Sequence, residues 1–178
     1  MKKLLLLASI LAISGITFSA EADLQVKAQI IKPLTITTEP VDFGILVAGS
    51  SSPISTLDGN GKNGKILLSG GAKENILLKV EGLDAKGGLS GNDAVYLTNT
   101  IDPNSKLIAS LHSDDNVTHH NLIALSEMFN HPFALNENGS LEFPVYGFLE
   151  QGVPADATPG LYTGTVKIKA EYDFNSGK

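Results

Sequence analysis

Four histidines fall within a short stretch of this chain: His112, His119, His120 and His131, with Asp114 and Asp115 after the first. Imidazole and carboxylate are the ligands that zinc and copper take, so the stretch could hold such an ion at a loop. The spacing matches no metal signature, however, and structural sites set their ligands on rigid elements. The ordinary reading is a solvated loop, no cofactor is expected, and His112, His119 and His120 are the weak metal candidates. "DGNGKNG" (Asp58 to Gly64) starts like a calcium loop with Asp58 and Asn60. Lys62 then stands where a third oxygen ligand belongs, Asn63 where the turn glycine belongs and Ser69 where the closing glutamate belongs, so the stretch reads as a turn. "GNGKNGK" lacks the Gly-Lys-Ser/Thr ending of a phosphate-binding loop. Without cysteine there is no thiol nucleophile, and no Gly-x-Ser-x-Gly elbow exposes a serine. Catalytic carboxylate pairs are defined by a separation in space that spacing along a chain does not give. The chain is therefore not expected to be an enzyme.

The first residues read as an export signal over 1–22: Lys2 and Lys3, an apolar run from Leu4 to about Ile16, then Ala20-Glu21-Ala22 as the small-x-small cleavage pattern. The apolar run is too short to span a bilayer, and no later run is longer, so no membrane span is expected. What remains, 23–178, suits one domain with room for a core. Setting aside Lys2, Lys3 and Glu21 leaves 11 lysines against 18 acids, a formal charge of −7, and there is no arginine. That balance excludes nucleic acid as a natural partner, because phosphate binding needs clustered cations. An exported chain without disulfides must be held by its core or by strand pairing with something else.

Period-two alternation recurs and helical periodicity hardly does. Strands are expected at Leu24 to Ile31, Leu34 to Thr38, Val41 to Val47, Lys65 to Ser69, Asn75 to Val80, Ala94 to Thr98, Lys106 to His112, Leu141 to Phe148 and Leu161 to Phe174. Between them lie turn formers such as "DAKGGLSGND" (Asp84 to Asp93) and "NENGS" (Asn136 to Ser140). Asn116-Val117-Thr118 and Asn138-Gly139-Ser140 have the form of glycosylation sequons and mark exposed loops. "NLIALSEMF" (Asn121 to Phe129) instead sets Leu122, Leu125, Met128 and Phe129 at helical spacing behind an Asn cap, which predicts a short helix over one end. Short strands with turns at this spacing predict an all-β antiparallel sandwich of seven to nine strands with one short helix. The last strand is the longest. Tyr162, Gly164, Val166, Ile168, Ala170, Tyr172 and Phe174 share one face, while Lys167 and Lys169 lie on the wet face and discourage unplanned edge pairing.

The first strand is the unusual one. Leu24, Val26, Ala28 and Ile30 alternate with Asp23, Gln25, Lys27 and Gln29 at the very start of the exported chain. Such a strand either pairs within its own domain or leaves it and completes a neighbour's sheet, as in donor-strand complementation. A head-to-tail contact of the second kind does not close on itself and grows a fibre.

Here a resemblance enters. "VKAQIIKPLTIT" followed by "VDFGILVAGS" resembles the opening of a family of exported bacterial β-sandwich proteins known only as a domain of unknown function. Pro159, Gly160, Tyr162, Gly164 and Tyr172 match its closing pattern, and "FPVYG" (Phe143 to Gly147) its strand before the last loop. The same two ends resemble the major pilins of chaperone-usher fimbriae, particularly the alternate, colonisation-factor type without a disulfide. The resemblance covers about a third of the expected mature chain and leaves residues 58–138 unmatched. It implies an immunoglobulin-like sandwich and a structural, adhesive subunit of a surface fibre or coat, passing the periplasm in transit. Its implied partners are other copies of itself or related subunits, a periplasmic chaperone and an outer-membrane usher. It carries the donor role to Leu24, Val26, Ala28 and Ile30, and the acceptor or chaperone-read strand to Val166, Ile168, Ala170 and Tyr172. The six residues after Tyr172, where pilins usually stop almost at once, depart from the pattern. Two other readings stay open: a self-contained secreted module whose residues 84–138 bind a glycan or a host protein, and a periplasmic metal-binding protein using the histidines. Tyr162 is expected to be a corner tyrosine whose hydroxyl bonds backbone across a turn.

Overall fold

A computed structural model describes residues 21–59, 61–83, 94–114, 122–129 and 131–174. Most of the expected export signal, Asp84 to Asp93, Asp115, His119, His120, Asn121 and the last four residues lie outside them. The chain divides into two units, Met1–Ile30 and Ile31–Lys178. In the first, residues 21–30 form no strand, and Leu24, Val26 and Ile30 are 88%, 87% and 96% exposed. The strand expected over Leu24 to Ile31 is thus absent. Alternation fixes which face a strand would bury, but only a neighbour can satisfy the ladder of N–H and C=O groups along its edges.

The second unit is all β. Its strands are β1 (Thr35–Glu39), β2 (Ile54–Ser55), β3 (Gly64–Ser69), β4 (Asn75–Glu81), β5 (Ala94–Asn99), β6 (Lys106–Asp114), β7 (Leu122–Ala124), β8 (Phe133–Ala134), β9 (Ser140–Leu149), β10 (Tyr162–Thr163) and β11 (Lys167–Tyr172). Among the described residues these are eleven rather than the seven to nine expected, because β2, β7, β8 and β10 are ladders of two or three residues that leave little periodic trace. One sheet runs β1-β3-β9-β6-β5-β10, with β2 added on β9 and β7 on β6; a second runs β11-β4-β8. Every described pairing is antiparallel.

The two sheets share one core. Ile66 and Leu68 of β3, Leu107 and Ala109 of β6, and Phe143 and Val145 of β9 pack with Ile76 and Leu78 of β4. The in-out alternation of β3, buried at Gly64, Ile66 and Leu68, is the pattern of a strand with one wet face. Phe143 is fully buried, and its ring meets Phe129 at 5.8 Å and Phe133 at 4.9 Å edge to face. Phe129 follows the single helical turn α1 (Leu125–Met128), whose Leu125 and Met128 are buried. The helix predicted over Asn121 to Phe129 is only half present: its first part pairs with β6, Ala124 standing opposite His112, and the remainder turns helical. Sheet hydrogen bonds to an existing edge outcompete a helix too short to stabilise itself.

Two further expectations change. The long last strand is broken, β10 pairing with β5 and β11 with β4 in the other sheet. The break lies at Gly164, where a Cβ would stand 2.7 Å from the Tyr96 carbonyl oxygen and 2.9 Å from Leu97 Cδ2. The chain crosses between sheets there, with room for a hydrogen only. The strand expected over Val41 to Val47 reduces to one bridge between Asp42 and Lys62. Gly44 turns the chain at φ +70°, and Ile45 and Val47 are left 97% and 75% exposed.

On the wet face of β11, Lys169 stands opposite Lys79 of β4, a like-charge pair that carboxylates relieve diagonally. Lys79 Nζ donates to Glu171 Oε1 at 2.8 Å, and Lys169 pairs with Glu81. The hydrogen bond from Lys169 holds the Glu81 carboxyl below its ordinary range, and that to Glu171 raises Lys79.

Candidate functional site

A concavity in the second unit lies between a stretch that fails to become a strand and the broken terminal strand with the residues before it. One wall is residues 40–48, following β1; the other is residues 157–166 with Ile168. Ile66, Val95, Leu107, Ala109 and Val145 form the floor, and all five belong to the buried core. The groove is therefore an opening into the core itself, with a volume of about 1120 Å³. Small-molecule sites commonly occupy about 300–1,000 Å³. A groove above that range, lined mainly by aliphatic side chains, suits a length of polypeptide.

Local sequence explains the walls. β9 carries Gly147 where a Cβ would fall 2.6 Å from the Phe43 ring and 2.7 Å from Val41 Cγ1, so the 41–43 stretch can lie directly on the sheet. Beyond Gly44 the chain lifts away, and its Asp42 Oδ1 accepts the Gly44 N–H at 2.8 Å. The charged groups at the mouth are engaged at the surface. Lys65 donates to Glu142 at 2.7 Å, which raises its pKa, and Lys62 pairs with Glu39 at 3.4 Å.

The second wall is held by a buried polar knot. Asn99 is 1% exposed; its Nδ2 donates to the Thr158 carbonyl at 2.8 Å, and its Oδ1 accepts the N–H groups of Ile101 and Asp102. Tyr162 Oη donates to the same Thr158 carbonyl at 2.8 Å and lies 2.6 Å from Ser105 Oγ, which in turn accepts the Thr158 N–H. A phenol has one proton to give, so the Ser105 hydroxyl donates to Tyr162. Tyr162 is thus the corner tyrosine expected.

The predicted acceptor residues separate. Val166 and Ile168 line the groove, whereas Ala170 and Tyr172 do not. Tyr172 Oη instead donates to the Lys32 carbonyl at 2.6 Å and accepts the Gly71 N–H at 2.7 Å. It ties the end of β11 to the beginning of the second unit. The alternation of residues 40–48 reads as an ordinary strand and hides their place in the wall; Gly44 within that run is the sequence signal of the turn.

Among the described residues the other sequence candidates gather no site, and His119 and His120 lie outside them. His112 meets Phe148 edge to face at 5.0 Å, and His131 is exposed. Tyr146 donates to Asp114 at 3.1 Å, and burial followed by that carboxylate raises the Tyr146 pKa. Among the described residues no group of three His, Cys, Asp or Glu side chains could hold a metal ion. None of the described helices is long and apolar enough to cross a membrane.

No family model matches the chain, and no curated protein matches it. Solved structures do match. A chaperone with a tip adhesion subunit, the CsuC-CsuE pre-assembly complex of archaic chaperone-usher Csu pili of Acinetobacter baumannii, aligns over 80% of this chain at 12% identity and a TM-score of 0.43. This chain spans 40% of the length of that one. The Salmonella SafD adhesin aligns over 76% of this chain and 95% of its own at 10% identity and a TM-score of 0.31.

Proposed function

We propose that this protein is a structural, pilin-like subunit of a bacterial surface fibre or coat, assembled by strand exchange, with the segment 23–31 as donor. The observation that carries the reading is a complementarity within one sequence. An apolar groove opens into the core between residues 40–48 and 157–168. The same chain offers a segment in no strand, whose Leu24, Val26 and Ile30 are almost fully exposed. Exposed aliphatic side chains cost free energy, and docking those of the donor against groove walls that leave Ile45, Val47 and Leu161 exposed relieves both. The main-chain edge of β11 away from β4, which carries no described strand, would supply the ladder. Because donor and groove are separate surfaces of one chain, the contact repeats head to tail. A periplasmic chaperone and an outer-membrane usher fit this reading as assembly partners, cell adhesion as its role and the cell surface as its place; it calls for no catalysis and no cofactor.

Purified protein should run as a ladder on an unheated SDS gel and collapse to a monomer band on boiling. Deleting residues 23–31 should abolish the ladder. A ladder that survives the deletion, or full-length protein that never forms one, contradicts strand exchange.

A further inference from the structure

We infer that the donor lies antiparallel to residues 162–169 of the next copy in one register, with Asp23 opposite Lys169, Gln25 opposite Lys167 and Ala28 opposite Gly164. This rests on the strand-exchange reading and specifies its geometry.

Three observations select the register. The first is extent. Along the terminal strand the groove is lined as far as Ile168 and not by Ala170 or Tyr172, and the Tyr172 hydroxyl closes that end against Lys32 and Gly71. Four inward side chains must therefore lie over residues 162–168. The second is depth. At Gly164 the chain presses on β5, the space for a Cβ being taken by Tyr96 and Leu97, so the smallest donor side chain, Ala28, belongs there. Reversing the donor over the same residues would put Val26 at that point. The third is charge. Lys169 pairs with Glu81, and Lys167 stands directly opposite Glu81 in the ladder, so two ammonium groups share one acid. The register places Asp23 across from Lys169 and diagonal to Lys167, while Lys27 faces Thr165. A slide of two residues toward Tyr172 sets Lys27 against Lys167 and Asp23 against Glu171, two like-charge pairs. A slide of two the other way leaves Ile168 uncovered and carries Ile30 past Tyr162 to Gly160. A slide of one turns the apolar side chains out to solvent.

The chain has no cysteine, so paired substitutions read the register cleanly. Directly opposed residues have Cα atoms about 4.5–5.5 Å apart, inside the range of about 4.4–6.8 Å that a disulfide spans. Diagonal neighbours are farther apart. Full-length protein carrying Gln25→Cys with Lys167→Cys should, after mild oxidation and boiling without reductant, keep a covalent ladder. Gln25→Cys with Thr165→Cys, or with Lys169→Cys, should collapse to monomer. A covalent ladder from either of those pairs, or from none while the unheated ladder persists, overturns the register and leaves strand exchange standing. Loss of the unheated ladder in the unsubstituted protein, or a cross-linked monomer, overturns both.

Discussion

Moving residues 23–31 from the front of the chain to a position behind Lys178, joined by a flexible linker, should convert the protein into a monomer that melts above the chain lacking them by up to about 10–30 °C. Burying Leu, Val, Ala and Ile side chains at about 25 cal/mol per Å² supplies roughly 5 to 8 kcal/mol as an upper bound. In a domain of this size each kcal/mol moves the midpoint by about 2–4 °C. The geometry favours the graft, because a segment returning from the end of β11 meets that strand antiparallel and can reach the groove as a hairpin. Differential scanning calorimetry of the two chains checks this. Equal midpoints would mean that the segment does not fill the groove.

The second large effect concerns the closed part of the core. Phe143→Ala should destabilise the domain by about 3–5 kcal/mol, a large share of the roughly 5–15 kcal/mol that holds a typical domain. Phe143 is fully buried and its ring contacts Phe129 and Phe133, yet it does not line the groove. In urea melts followed by circular dichroism the midpoint should fall strongly in both the grafted chain and the chain lacking residues 23–31, by a similar free energy in each. A much smaller loss in one background would mean that this part of the core reorganises when the groove is filled.

What the sequence disclosed was whatever alternation encodes locally. β3, β4, β5, β6 and β9 lie within about two residues of their expected positions because each buries one face, and a period of two then marks its bounds. Two of the failures share one physical cause, that pairing is a property of two strands and alternation of one. Leu24 to Ile31 and Val41 to Val47 both alternate cleanly, yet the first forms no strand and the second a single bridge. The break at Gly164 was hidden for a different reason. Only the approach of Tyr96 and Leu97 shows that the glycine marks a crossing between sheets rather than a gap in one strand. The groove itself is legible in no run of residues, since its walls and floor come from stretches far apart along the chain. The role of Tyr172 was equally out of reach, its hydroxyl partners Lys32 and Gly71 being far away along the chain.

Amide hydrogen exchange, compared between the monomer lacking residues 23–31 and the fibre of full-length protein, tests the central claim most directly. Protection should rise at residues 24–30 and 165–170 in the fibre, where backbone groups join a new ladder, and change little in β3 and β9. A fibre that leaves residues 24–30 and 165–170 exchanging as fast as in the monomer would contradict filling of the groove by the donor segment.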